Sequence, residues 1–306
     1  MDKNILVLGG SYFVGRVFSI LSARRGDSSL HVVNRGNYKL SLPNVQEYVC
    51  DRHDCDKMLQ LLPPQVTFDT VVDFCGYKAG EIASIVEALG ERIGQYIFFS
   101  TISICNPTIQ EPKTESCPLA DLPDASSNPV VDYLYQKSVL ETELRACCTL
   151  HRIPWTIFRP TFIYGPFNYA PRESYFFKLI AEGLPIPYPE DASAEFSMVY
   201  VEDAAQAVHS VIGDAAAHDR VFNLAAPEHI TYPRLFDEMR ACHGSPFPIR
   251  PISVAEVNRD GIPLPFPLNT NDLSDGSLLS NLFDFHYTPF SEGFARTYRA
   301  FCKLYV

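Results

Sequence analysis

Short apolar runs alternate with helical periodicity through the first half of the chain. The apolar runs predict buried strands at Ile5–Leu8, Leu30–Val33, Gln46–Val49, Thr70–Phe74, Gln95–Ser100 and Trp155–Phe158. The stretches between them predict helices at Phe13–Arg25, Asp54–Leu62, Glu81–Arg92 and Tyr133–Leu150. Strands that alternate with helices form a parallel sheet covered on both faces. The pattern therefore predicts an α/β fold of the Rossmann type, with a doubly wound sheet.

The hydrophobic pattern becomes less regular after about residue 166, where proline and aromatic residues are more frequent. Further elements of the first type are predicted at Phe196–Val201, Glu202–Ile212 and Val221–Ala225. We therefore expect a main domain over residues 1–166 that continues through 196–226. Residues 167–195 and 227–290 are expected to form a smaller lobe at the carboxyl edge of the sheet, followed by a closing helix within 291–306.

Residues 106–132 interrupt the alternation of strands and helices. This segment carries five prolines and several serine, threonine and aspartate residues, which predicts a long irregular loop. Loops of this length in a compact domain usually cover a functional site. The alternative is a flexible surface excursion.

Composition excludes several classes of protein. A formal net charge of −11 argues against nucleic acid as a partner, because phosphate backbones are bound through clustered lysine and arginine. No apolar run reaches the length of about 18 residues that a membrane helix needs, and the amino terminus lacks the architecture of a signal peptide. The nine cysteines are scattered without metal-site spacing. We expect reduced thiols, no metal and a cytoplasmic location.

A glycine-rich turn directly follows the first predicted strand. Residues 9–15 read Gly-Gly-Ser-Tyr-Phe-Val-Gly and open an amphipathic helix. Glycine lets the backbone approach a pyrophosphate, and a helix amino terminus offers free N–H groups. We expect the dinucleotide phosphates to be bound by Gly9, Gly10, Ser11, Tyr12, Phe13 and Val14. Tyr12 departs from the usual pattern, because it occupies the position of the middle glycine.

The residues after the next three strands are candidates for binding the rest of the dinucleotide. Asn34 and Arg35 end the second strand, where an NAD site usually carries an acidic residue for the ribose 2′-hydroxyl. Because Asn34 is neutral and the guanidinium of Arg35 suits a 2′-phosphate, we expect NADP in preference to NAD. Arg35 facing solvent is the alternative. Asp51 and Arg52 follow the third predicted strand, and Phe74, Cys75 and Gly76 lie at the end of the fourth. From this topology we expect these residues to lie near the adenine and ribose.

Tyr133 and Lys137 lie four positions apart in a predicted helix, so both side chains share one face. An ammonium beside a phenol favours the phenolate, and we expect Lys137 to lower the pKa of Tyr133. Such a phenol can exchange a proton with the oxygen on a carbon that undergoes hydride transfer. The alternative is a solvated helix face without chemistry.

Together these motifs resemble the extended short-chain dehydrogenase/reductase superfamily, in its NAD-dependent epimerase/dehydratase branch. The resemblance covers nearly the whole chain and is carried further by Ser100-Thr101-Ile102-Ser103, Arg159-Pro160-x-x-x-Tyr164-Gly165-Pro166 and Val199-Tyr200-Val201-Glu202-Asp203-Ala204. It implies that Thr101 binds the reacting oxygen, that Tyr133 is the acid/base and that Lys137 binds the nicotinamide ribose. It also implies that Ser100 and Pro160 belong to the cofactor site.

Three departures from the family pattern bear on the reaction. Dehydratases of this family carry Asp-Glu after the catalytic threonine, whereas Ile102 and Ser103 follow Thr101 here, so dehydration is not expected. Many nucleotide-sugar epimerases carry an arginine before the Val-Tyr-Val motif, where this chain has Glu195-Phe196-Ser197. The substitution at Tyr12 resembles an atypical subgroup related to chloroplast RNA-associated proteins.

The sequence predicts an NAD(P)-dependent oxidoreductase or epimerase acting at a secondary alcohol or ketone carbon. The resemblance implies a sugar or nucleotide sugar as the small-molecule substrate. Arg159 and Arg172 are candidates for contact with an anionic substrate, although a buried ion pair is the alternative for Arg159. A non-catalytic protein that senses or binds NADP(H) is the second hypothesis. The helices Glu81–Arg92 and Tyr133–Leu150 could form a homodimer interface, as in many family members.

Overall fold

The computed structural model describes residues 3–106, 111–124 and 127–305. Parts of the predicted 106–132 loop and of the chain ends therefore lie outside the described residues. The strands are β1 (Lys3–Leu8), β2 (Ser28–Asn34), β3 (Val45–Val49), β4 (Thr70–Asp73), β5 (Tyr96–Phe99), β6 (Trp155–Pro160), β7 (Phe162–Tyr164), β8 (Ile186–Pro189), β9 (Phe196–Tyr200), β10 (Arg220–Leu224), β11 (His229–Ile230) and β12 (Ile249–Ile252). The helices are α1 (Phe13–Arg25), α2 (Cys55–Leu61), α3 (Glu81–Leu89), α4 (Pro129–His151), α5 (Glu173–Ala181), α6 (Val201–Val211), α7 (Tyr232–His243), α8 (Val254–Asp260), α9 (Ser277–Phe283) and α10 (Phe290–Tyr305).

Seven strands form one fully parallel sheet in the order β10-β6-β5-β4-β1-β2-β3. The predicted α/β fold of the Rossmann type is thus confirmed. The connections run in opposite directions on either side of β1, so a crevice opens beyond the carboxyl ends of β1 and β4. In sheets of this kind ligands bind at that switch point.

Helices cover both faces of the sheet because its strands are apolar on both sides. One core packs the sheet against α1 and α6 and continues into the lobe, and the other packs it against α3 and α4. The two helices α3 and α4 are also joined by a cap. The carboxylate of Glu143 in α4 accepts hydrogen bonds from the backbone N–H groups of Gly80, Ile82 and Ala83, at 2.6, 2.9 and 2.7 Å. This carboxylate satisfies N–H groups that a helix start leaves without partners.

The strand predicted at 196–201 does not join the main sheet, which corrects that expectation. It forms β9, which pairs with β7 in parallel and with β11 in antiparallel fashion in a separate three-stranded sheet. β8 and β12 form a further two-stranded sheet. The predicted helix after β9 does pack on the main domain, against α1. The division into a main domain, a lobe and a closing helix stays a prediction.

Candidate active site

A cleft with a volume of about 780 Å³ runs along the carboxyl edge of the sheet, from the ends of β2 and β3 to β6 and α4. Most of the predicted site residues line it. They are Gly9, Ser11, Tyr12, Phe13, Val14, Asn34, Arg35, Asp51, Arg52, Phe74, Cys75, Ser100, Thr101, Tyr133, Lys137 and Pro160. Segments far apart in the sequence thus meet around one space of the size that small ligands and cofactors occupy.

Gly10 and Gly76 were predicted to bind the cofactor but do not line the cleft. A Cβ atom on Gly10 would lie 2.8 Å from Val7 Cγ1, and one on Gly76 would lie 2.8 Å from Phe98 Cε2. A side chain at either position would collide with residues of the sheet, so close packing requires glycine at both. Gly9 differs, because it faces the cleft with a left-handed φ of 82° that favours glycine.

Three tyrosine rings form a continuous stack at the exposed rim of the cleft. Tyr12, at the position of the missing glycine, lies 5.2 Å from Tyr38 and 5.1 Å from Tyr169, ring centroid to ring centroid, at angles near 20°. Tyr38 follows β2 and Tyr169 follows β7, so the stack links both sides of the cleft through the glycine turn. The departure from the glycine pattern thus builds a specific contact, which the sequence alone did not indicate.

Asn34, the last residue of β2, and Arg35, which follows it, have different environments. Asn34 is buried and shapes the turn: its Oδ1 accepts the N–H of Gly36 at 2.7 Å, and its Nδ2 donates to Glu47 at 3.3 Å. Arg35 is exposed and lines the cleft. At this position Arg35 can either face solvent or bind a phosphate group, so both alternatives stay open.

Arg52 lines the cleft, and its guanidinium donates to groups of the cleft wall, so its place near the adenine and ribose stays a prediction. Its guanidinium binds both carboxylate oxygens of Asp73, at 2.7 and 2.8 Å, and the backbone oxygen of Glu81 at 3.1 Å. Burial opposes both charges, yet each partner stabilises the other: the pKa of Asp73 is lowered and that of Arg52 raised. Asp73 also accepts from Tyr96 at 2.8 Å. Asp51, in turn, holds His53 at 2.6 Å.

Two hydroxyl groups lie at the end of β5. Thr101 lines the cleft, and its Oγ1 accepts the N–H of Ser103 at 3.3 Å. Ser100 is buried, and its Oγ has no hydrogen-bond partner in the described part of the chain. A buried hydroxyl without a partner is costly. Because Ser100 faces the cleft, a bound ligand would supply the missing partner.

Lys137 and Tyr133 do not form a solvated helix face. Lys137 is 2% exposed, and its Nζ donates to the backbone oxygen of Phe99 at 2.7 Å. The same ammonium lies 4.9 Å from the ring centre of Tyr77 and 5.9 Å from that of Tyr133. Tyr133 is 38% exposed at the cleft. The helix therefore directs both side chains towards the same cleft as Ser100 and Thr101.

The predicted lowering of the Tyr133 pKa is wrong. Burial raises the pKa of Tyr133 to about 12, with Tyr169 adding to the rise and Arg172 opposing it. Burial also lowers the pKa of Lys137 to about 8. Desolvation disfavours the charged form of both groups and is the largest cause of each shift.

Arg159 lies in a buried ion pair, the alternative that the sequence left open. It donates to both carboxylate oxygens of Glu141, at 2.8 and 2.6 Å, and so fixes α4 against β6. The described part of the 106–132 loop lies beside this pair and not over the cleft. Lys113 binds Asp272 at 2.7 Å, and no described residue of the loop lines the cleft.

Several residues around the cleft were not predicted as site residues. They include Tyr77, Thr161, Asn168, Tyr169 and Ala170. Four of these five belong to segments after β6 and β7, where the irregular hydrophobic pattern carried no motif beyond the family resemblance. Within the described ranges no group of acidic, histidine or cysteine side chains could hold a metal, and no helix there is long and apolar enough to span a membrane.

Comparisons with known proteins agree with this architecture. The model of the NAD dependent epimerase/dehydratase family matches residues 5–225. The chloroplast stem-loop binding protein of 41 kDa b from Arabidopsis thaliana is 29% identical over 261 residues, which cover 81% of this chain and 65% of that protein. The chain thus spans slightly less than two thirds of this relative.

Solved structures share the fold at low sequence identity. An epimerase from Methanothermobacter thermautotrophicus superposes with a TM-score of 0.81 at 18% identity, over 99% of this chain and 93% of that one. The UDP-glucose 4-epimerase of Thermus thermophilus, solved with NAD, gives a TM-score of 0.76 at 18% identity, over 98% and 99%.

Proposed function

The chain belongs to the NAD dependent epimerase/dehydratase family, and on that premise we propose that it is an NAD(P)-dependent enzyme acting on a sugar or nucleotide sugar. It moves a hydride at a secondary alcohol carbon. The observation that carries the proposal is the meeting of Tyr133, Lys137 and Thr101 in one cleft with the glycine turn. The similarity to a UDP-glucose 4-epimerase supports the substrate class.

The residues of the cleft fit a dinucleotide. Gly9 opens a left-handed turn that a side chain would obstruct, since its Cβ would lie 2.8 Å from Cys75 Cβ. Ser100 offers a buried hydroxyl that lacks a partner in the described chain. When bound, the dinucleotide accepts a hydride from an alcohol carbon and can return it. Gly9 and the start of α1 would hold its phosphates, and Lys137 its nicotinamide ribose.

Tyr133 is the proton donor and acceptor in this proposal. A pKa of about 12 keeps its phenol protonated at neutral pH, so it can donate a proton or hydrogen bond to the oxygen of a ketone. Thr101 orients that oxygen from the other side. Lys137 is buried below the ring and favours removal of the Tyr133 proton whenever its ammonium is charged. These groups contribute alignment and electrostatics.

The tyrosine stack at the rim favours epimerisation over simple reduction. Epimerisation requires that the reduced cofactor stays bound while the ketone turns its other face. Aromatic pairs of this geometry contribute about 0.5–1.5 kcal/mol each, so the contacts of Tyr12 with Tyr38 and Tyr169 resist opening of the rim. Dehydration remains disfavoured, because Ile102 and Ser103 occupy the positions of the dehydratase acid pair.

A preference for NADP is part of the proposal and rests on Arg35. The residue is exposed at the cleft, where a planar guanidinium can bind a 2′-phosphate with two hydrogen bonds. The Thermus thermophilus epimerase was solved with NAD, so this similarity does not support a preference for NADP. The preference therefore has to be measured. Titration with NADPH and NADH should give tighter binding of NADPH to the wild type, and Arg35→Ala should remove the difference. Equal affinities in the wild type would reject the preference.

Nucleic-acid binding and pure sensing are weaker alternatives. The Arabidopsis relative is named as a stem-loop binding protein, but the net charge of −11 opposes phosphate-backbone binding. A sensor needs no tyrosine–lysine pair directed at the nicotinamide end of the cleft.

A homodimer and a cytoplasmic location are further parts of the proposal. Val130 and Leu150, near the two ends of α4, are exposed apolar residues that a partner subunit would cover. All nine cysteines are free thiols, as expected in the reducing cytoplasm. Native mass spectrometry would report the dimer.

Turnover of Tyr133→Phe tests the proposed function. We expect the rate to fall about 10²- to 10⁴-fold while dinucleotide affinity is retained. Tyr135→Phe is the matched control, because Tyr135 lies on the same helix but lines a different surface cleft beside Leu119. Wild-type turnover in Tyr133→Phe would remove this mechanism.

A further inference from the structure

Arg172 is held rigidly at the substrate end of the cleft. It immediately precedes α5 and lines the cleft together with Tyr133. The loop before it is fixed by Asn168, whose Oδ1 accepts the N–H of Ala170 at 3.0 Å and whose Nδ2 donates to the backbone oxygen of Ile163 at 3.3 Å. The position of Arg172 is therefore set before any ligand binds.

The guanidinium of Arg172 makes no ion pair with the described residues, since none of their carboxylates lies within 4.0 Å of it. Its Nη1 donates to the backbone oxygen of Ile163 at 3.1 Å, and the group lies 5.3 Å from the ring centre of Phe162. The neighbouring carboxylate of Glu173 attracts the guanidinium from a longer distance. Its oxygens accept hydrogen bonds from the N–H of Gly165 at 3.0 Å and from Asn168 at 3.4 Å.

Arg52 and Arg159 are buried arginines near the cleft, whereas Arg172 is partly buried. Arg52 and Arg159 each hold a carboxylate with two hydrogen bonds. A desolvated cation without a partner is costly in a folded protein, and burial lowers the pKa of Arg172. Contact with the Phe162 ring offsets only part of that cost. A ligand that brings negative charge would supply the missing partner.

We propose that Arg172 binds an anionic oxygen group of the substrate, a carboxylate or a phosphate, close to the reacting carbon. This rests on the proposed function, because it specifies the substrate of the same cleft. Proximity to Tyr133 places the cation at the reacting end: Arg172 acts electrostatically on that phenol. Its planar fork matches the geometry of carboxylate and phosphate oxygens.

Binding measurements on the whole chain saturated with dinucleotide test the assignment. The probes are inorganic phosphate, UDP-glucuronate and UDP-glucose, and the variants are Arg172→Gln and Arg172→Lys. Arg16→Gln is the matched control. Arg16 also lies over an aromatic ring, Phe167 at 5.1 Å, and also donates to a backbone oxygen, that of Lys39 at 3.3 Å, but it does not line the cleft.

In Arg172→Gln, affinity for at least one probe should fall about ten- to a hundredfold, as for a hydrogen bond between charged groups. Arg172→Lys should be intermediate and Arg16→Gln unchanged. A loss confined to UDP-glucuronate identifies a sugar carboxylate, and an equal loss for both nucleotide sugars identifies their phosphates.

Three outcomes overturn the proposal. One is unchanged affinity for every probe in a variant that keeps the wild-type melting temperature. Another is the absence of any probe binding to the wild type. The third is a loss of dinucleotide affinity while probe binding stays intact, which would mean that Arg172 binds the pyrophosphate of the cofactor and not the substrate. Binding is measured without turnover, so failure of the proposed function would appear in the Tyr133→Phe assay and not here.

Discussion

The ammonium of Lys137 donates a 2.7 Å hydrogen bond to the backbone oxygen of Phe99, the last residue of β5. Ser100 and Thr101 follow at once in the chain. One contact therefore ties the helix that carries Tyr133 to the strand end that carries the two hydroxyls. The bond holds the amine of Lys137 in a buried position, where its charge has a measurable effect on stability.

Lys137→Met should stabilise the fold at neutral pH while it abolishes activity. The pKa of Lys137 is about 8 in the folded chain, below the usual lysine value of 10.5, because its ammonium is buried. Between these values the unfolded chain binds more protons, so stability rises with pH, and the buried charge destabilises most below pH 8. We expect Lys137→Met to gain on the order of 1–3 kcal/mol at pH 7, with the gain shrinking towards pH 10.

Urea unfolding at several pH values would measure this difference. Lys178→Met is the control, because Lys178 is exposed on α5 and should change stability little at any pH. A Lys137→Met protein that is less stable than wild type by the same amount at pH 7 and pH 10 would contradict the prediction.

Arg159→Met should destabilise the chain by about 3–5 kcal/mol, because it leaves the buried carboxylate of Glu141 with only the longer contact to Arg145, at 3.4 Å. Replacing both residues, with Glu141→Leu added, should recover most of the loss. Arg259→Met removes an exposed ion pair with Asp260 and should leave the unfolding midpoint close to that of the wild type. Equal unfolding midpoints for Arg159→Met and Arg259→Met would refute a structural role for the buried pair.

The sequence predicted the main sheet well because its strands are buried on both faces and appear as apolar runs. The helix α1 begins and ends as predicted, since Gly26 stops it in a left-handed conformation with φ 67°. The strand at 196–201 was placed in the wrong sheet. Its apolar pattern indicated a buried strand, but the choice between two sheets depends on pairing with β7 and β11, which local pattern does not contain.

The candidate site was predicted in outline, because the carboxyl ends of parallel strands meet at one edge. The errors concern quantities that depend on tertiary contacts. The ion pair of Arg52 with Asp73, 21 positions away, gives no local signal in the sequence. The direction of the Tyr133 pKa was wrong because burial is the largest influence on that phenol, and burial depends on the tertiary structure.

Tyr12→Ala should release the dinucleotide faster. Removing this ring breaks both contacts of the stack, and we expect the dissociation rate to rise about tenfold, from aromatic pairs worth about 0.5–1.5 kcal/mol each. Tyr12→Phe keeps the ring and is the control. Stopped-flow displacement measures the rates; if Tyr12→Ala and Tyr12→Phe release the dinucleotide equally fast, the stack does not cover it.

Epimerisation by hydride transfer should retain a deuterium placed on the reacting carbon. UDP-glucose and UDP-glucuronate deuterated at the carbon of the 4-hydroxyl serve as probes, with products followed by NMR. We expect an inverted product that keeps its deuterium, because the hydride returns to the carbon from which it came. Loss of the label to solvent would indicate proton abstraction, and label in released reduced cofactor would indicate a dehydrogenase that oxidises the probe.

A crystal structure of the protein with NADP⁺ would show whether Thr101, Tyr133 and Lys137 converge on the nicotinamide. We expect the nicotinamide ribose beside Lys137, with the hydroxyls of Thr101 and Tyr133 both within hydrogen-bond reach of one shared oxygen position above the nicotinamide. A dinucleotide bound elsewhere, or two hydroxyls too far apart to meet one oxygen, would contradict it.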